Sequence, residues 1–85
     1  MTEEKIETTK GLCVISLTRF IMEQTHLSQD QAFEKLLDTE LYTLLMDSET
    51  RLFLETNDYL RQCCRIELSE GKDALYKFIN AEIAE

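Results

Sequence analysis

The chain has 85 residues, is 44% apolar and 31% charged, and sets 17 acidic side chains against 9 basic ones for a formal charge of −8. That length holds one small domain, and the apolar content is too high for a simply disordered chain. The acidic balance argues against a phosphate-rich partner, because nucleic-acid affinity rests on Lys and Arg.

In chain order, the first expected helix covers about 9–25. Cys13, Val14, Leu17, Phe20 and Ile21 recur at helical spacing, and Leu12, Ile15 and Met22 widen that stripe until the helix reads as a central one packed on two sides. Gly11 is its weak point, costing up to about 1 kcal/mol in a helix interior, so order is expected to begin near Thr9, with 1–8 a candidate disordered segment. Ser28-Gln29-Asp30-Gln31 fits a capping box and opens a second helix at 29–38, with Ala32, Phe33, Leu36 and Leu37 as its apolar positions. From 41 to 55 two readings compete. Leu41 to Met46 make two turns of helix after Thr39, or 43–46 pairs with 51–54 as a β-hairpin around the turn-forming run Asp47 to Thr50. Thr56 with Asp58 in the first turn starts a third main helix at 57–70, stopped by Gly71. A last helix at 72–84 buries Leu75, Phe78, Ile79 and Ile83. The fold class is mainly all-α: a compact bundle of about four helices, with a short helix or hairpin at 41–55, in a single domain.

The start of the chain lacks the basic residue and apolar run of a secretory signal. The most apolar stretch, Leu12 to Met22, is interrupted by Ser16, Thr18 and Arg19 and is shorter than the roughly 20 residues a membrane span needs. Three cysteines, an odd number without secretory context, argue against a disulfide framework. A reduced, cytoplasmic protein is expected.

Charge is unevenly placed. Between 21 and 50, seven acids (Glu23, Asp30, Glu34, Asp38, Glu40, Asp47 and Glu49) stand against Lys35 alone. The third main helix carries a basic patch, Arg61 and Arg65. The second helix is thus an acidic ridge suited to a basic partner, or to the arginine patch of another copy.

Chemical motifs are sparse. His26 is the sole histidine and falls in a turn. Glu23 and His26 have the Glu-x-x-His spacing of di-iron bundles, but the second such pair is missing. Cys63 and Cys64 are adjacent, about 100° apart on a helix, where they neither chelate nor pair readily, so Cys13 and at least one of the pair read as core. Asp47-Ser48-Glu49-Thr50-Arg51 fails as a calcium loop because Arg51 takes a ligand position. Residues 40–45, the recognition helix of a would-be helix-turn-helix, offer no Lys or Arg and no amide for base edges. No catalytic, cofactor-binding or metal-binding residue is assigned.

The apolar first helix, Leu27-Ser28, the segment Phe33-Glu34-Lys35-Leu36-Leu37 and the later run Phe53-Leu54-Glu55-Thr56-Asn57-Asp58-Tyr59-Leu60 together resemble a family of small bacterial helical proteins classed as a domain of unknown function. The resemblance spans about 12–68, with Glu55 where the family has a histidine and an insertion around 47–50. Members often neighbour genes for toxin-like enzymes, which implies a partner-binding, antitoxin-like role without catalytic residues.

The favoured reading is a non-enzymatic acidic protein-interaction module, expected as a homodimer or bound to a protein with a basic surface, with no nucleic acid, membrane or cofactor. Its partner-binding residues would be Asp30, Glu34, Asp38, Arg61 and Arg65. The competing reading is a metal-dependent or redox protein using Glu23, His26 and the cysteines.

Overall fold

The computed structural model describes residues 2–83. Five α-helices, α1 (Glu3–Thr25), α2 (Gln29–Leu37), α3 (Glu40–Met46), α4 (Asn57–Glu70) and α5 (Lys72–Ile83), are joined by short turns, and two single 3-10 turns, Ser48–Thr50 and Leu52–Leu54, fill the interval after α3. The mainly all-α class is observed, with five helices rather than about four. No strand occurs among the described residues. Met1, residue 84 and the expected burial of Ile83 lie outside what the structure describes.

Capping side chains set most boundaries. Ser28 and Gln31 form the reciprocal capping box of α2, each bond 3.3 Å long. Thr39 and Thr56 accept the Tyr42 and Tyr59 amides at 3.1 Å. Gly71 closes α4 at φ 97°, a backbone region that side chains strongly disfavour. One boundary differs from expectation: α1 starts at Glu3, not near Thr9. Thr2 accepts the Lys5 amide at 3.2 Å, and Glu3 and Glu4 sit in the first turn, where their charge complements the helix dipole. That start outweighs the cost of Gly11, which lies exposed within the helix.

The hairpin alternative at 41–55 is excluded. Residues 43–46 belong to α3, and Arg51, at φ 57°, turns the chain between the two 3-10 turns. Leu52 and Phe53 are both buried, so consecutive side chains enter the core, where a strand would alternate them.

The core gathers Cys13, Leu17 and Ile21 of α1, Ala32 and Leu36 of α2, Leu41 and Leu45 of α3, and Leu60, Cys63, Cys64 and Leu75 of α4 and α5. Stacked rings of Tyr59 and Phe78, 5.4 Å between centroids, pack beside it on the α4–α5 hairpin.

At seven residues, α3 is too short to persist alone, and distant side chains hold both of its ends. The Glu67 carboxylate on α4 accepts the Glu40 and Leu41 amides at 2.7 and 2.9 Å. At the other end, the Lys10 ammonium donates to the Met46 carbonyl at 2.7 Å and to Ser48 Oγ at 2.8 Å, while lying 5.4 Å from the Phe53 ring centroid. Anion at the amino end and cation at the carboxyl end both complement the helix dipole. Tyr76 of α5 donates its hydroxyl to Glu40 Oε1 at 2.6 Å. That bond, beside the Glu40 and Glu67 charges, raises the phenol pKa.

Candidate functional site

The residues that face outward from α1 and α2 follow from those that face inward. Ala32 and Leu36 turn α2 toward the core, which sets Asp30 and Glu34, one helical turn apart, on its opposite side. Asp38, the C-cap residue, continues that line. All three carboxylates are exposed, and none makes an ion pair among the described residues, where the one such pair joins Arg61 and Asp58. Phe33 and Leu37, each 40% exposed, lie on the flank of the same helix.

On α1 the inward positions are Cys13, Leu17 and Ile21. Leu12 and Ile15 fall on the other side and are 63% and 52% exposed, with Arg19 beside them, also exposed. The expectation of a central helix covered on two sides is therefore corrected. Neighbouring helices cover the Cys13–Leu17–Ile21 side, and the Leu12–Ile15 side is bare. Arg19, one turn beyond Ile15, was the sequence signal for a solvent-facing stripe.

A groove of about 550 Å³ runs between α1 and α2, with Val14, Thr18, Met22 and Ile15 from α1 and Asp30 and Phe33 from α2 in its lining. A second hollow, about 650 Å³, opens between α1 and the 53–61 stretch and includes Leu12, Ile15, Arg19 and Phe53. Ile15 and Arg19 line both, and so form the crest between them.

Of the arginine patch, Arg61 also lines this second hollow. Arg61 donates to Asp58 Oδ1 at 3.1 Å and to the Asn57 carbonyl at 3.3 Å. With the exposed Arg65, it borders a depression against Phe20 and Gln24 of α1. The three acids are thus on α2 and the two arginines on α4; no hydrogen bond or ion pair joins the two sets among the described residues.

The residues named for metal or redox chemistry do not converge. Glu23 and His26 are exposed near the end of α1, where His26 takes a left-handed conformation and donates its amide to the Met22 carbonyl at 2.8 Å. Cys13, Cys63 and Cys64 are all buried. Burial raises the Cys13 pKa; burial, with the Glu67 charge and Cys63 adding to it, pushes Cys64 up to about 12. The nucleophilic and metal-binding form of cysteine is the thiolate, which these surroundings disfavour. Among the described residues, no three His, Cys, Asp or Glu side chains gather as a metal site. No described helix is long and apolar enough to cross a membrane.

Against known proteins, the chain matches no family model, no curated sequence and no solved structure.

Proposed function

We propose that the chain is a non-enzymatic interaction module whose α2 ridge docks on the basic surface of a partner protein. The observation that carries this reading is the exposed line Asp30, Glu34 and Asp38, without internal counter-ions among the described residues, beside the half-exposed Leu37. A carboxylate row next to an aliphatic anchor suits Lys and Arg side chains arranged around an apolar spot, with charge steering the approach and the apolar contact slowing departure. If the partner is an enzyme with a basic active-site surface, such docking inhibits it by occlusion and needs no chemistry from this chain.

The test begins with purification from the native host and identification of co-eluting protein, followed by titration of that protein with the purified chain. The expected result is a basic partner whose affinity falls with salt and falls at least tenfold in the Glu34→Lys/Asp38→Lys variant, with the helical circular dichroism unchanged. Equal affinity of the folded variant overturns the proposal.

A further inference from the structure

Leu12 and Ile15 on α1 and Phe33 on α2 expose 63%, 52% and 40% of their surface. Single exposed apolar residues are ordinary, but a contiguous apolar strip marks a contact surface. These three are contiguous, since Ile15 and Phe33 line the same α1–α2 groove and Ile15 and Leu12 line the adjoining hollow.

The polar residues of the groove indicate what covers it. Arg19 stands on the α1 wall and Asp30 on the α2 wall. Both are exposed, and neither makes an ion pair among the described residues. A surface with one unpaired cation and one unpaired anion on opposite sides of an apolar strip is complementary to itself. Rotating a second copy by half a turn sets its Asp30 against Arg19 and its Arg19 against Asp30, which is the condition for an isologous interface.

We infer that this face closes on a second copy of the chain, the two α1–α2 hairpins packing as a four-helix interface with Ile15 and Phe33 at its centre and reciprocal Arg19–Asp30 pairs at its edges. Arg61, paired with the exposed Asp58, lines the hollow beside Leu12 and Ile15 and so borders this contact, whose centre lies on α1 and α2. Glu34 and Asp38, farther round α2, stay outside it, while Asp30 belongs to both surfaces, so a ridge-bound partner and the second copy compete for that one carboxylate. Each copy carries −8, and this repulsion is screened over about 8 Å at physiological ionic strength. Dimerisation, driven by the apolar strip, therefore persists in salt that weakens a ridge-bound basic partner.

Sedimentation equilibrium of the full chain tests the inference. The mass is expected to rise with concentration from 10.0 kDa toward twice that value. Ile15→Glu and Arg19→Asp are each expected to weaken association roughly tenfold or more, and Arg19→Asp combined with Asp30→Arg to recover it to within about threefold. Circular dichroism checks that the variants fold, and the wild-type measurement decides independently of them. A wild-type chain that stays monomeric to millimolar concentration overturns the inference. So does a dimer indifferent to Ile15→Glu, or one that Arg19→Asp breaks and the charge swap fails to restore.

Discussion

Glu67 on α4 accepts the backbone amide of Glu40, the first residue of α3, at 2.7 Å. The same carboxylate accepts the next amide, of Leu41, and the Thr39 hydroxyl accepts the third, of Tyr42, so the three leading donors of α3 all have side-chain acceptors. Hydrogen bonds to a charged group each contribute about 1.5–3 kcal/mol net. Glu67→Ala is therefore expected to destabilise the fold by about 2–4 kcal/mol, lowering the melting temperature by on the order of 10 °C. Thermal unfolding followed at the helical minimum checks this, and Glu67→Gln is expected to fall between wild type and alanine.

Lys10 does the equivalent work at the far end of α3. Lys10→Ala removes the bonds to Met46 and Ser48 and the cation over Phe53, an expected loss of about 1–2 kcal/mol. Because both residues hold one short helix, the loss in the Lys10→Ala/Glu67→Ala double variant is expected to fall short of the sum by about 0.5–1 kcal/mol. A urea-denaturation double-mutant cycle measures that coupling; strict additivity would mean that the two ends of α3 are held independently.

The thiols give the protein an alkaline limit. Cys64 has its pKa raised from 9.0 to about 12, so the folded state keeps a proton that the unfolded chain releases. The stabilisation is fully present below pH 9 and is lost as pH rises from there through about 12. Tyr76, also raised from its ordinary value, acts in the same direction above pH 10. Denaturation midpoints are expected to fall steadily above pH 9, and Cys64→Ala is expected to flatten that fall while costing stability at pH 7 through lost packing. Labelling of native protein with a thiol reagent at pH 8 is expected to proceed only as fast as the fold opens.

The two glycines respond to the same substitution with opposite sign. Gly11 lies inside α1 with nothing within 4 Å of an added Cβ, so Gly11→Ala is expected to stabilise by about 0.5–1 kcal/mol. At Gly71 space is equally open, but φ is +97°, and Gly71→Ala is expected to destabilise by about 1–3 kcal/mol. Chemical denaturation of both variants under one set of conditions separates the conformational effect from any steric one.

What could be read from the chain was local. Ser28, Thr56 and Gly71 act on amides and carbonyls within a few residues, and their types alone announce the start of α2 and both ends of α4, whereas Thr39 supports only one of the two readings of 41–55. The start of α1 does not follow from Gly11 alone, because the Thr2 cap and the acidic first turn offset its penalty. The 41–55 stretch stayed ambiguous because its outcome depends on Lys10 and Glu67, which lie far away in sequence and look like ordinary solvated charges. For the candidate site, exposure of Asp30, Glu34 and Asp38 followed from α2's helical period. The exposure of Leu12 and Ile15 is not legible, because composition does not say which side of an all-apolar helix lacks a neighbour.

The dependence of α3 on both Lys10 and Glu67 has a consequence for how the protein is made. Synthesis runs from the amino end, so the Glu40 and Leu41 amides leave the ribosome before their acceptor on α4 exists. Until residue 67 emerges, Leu41 and Leu45, fully buried in the finished fold, have no settled helix to carry them inward. A nascent chain stopping short of that residue leaves those leucines without the acceptor that starts their helix, and their burial waits further for α5, whose Leu75 belongs to the same core.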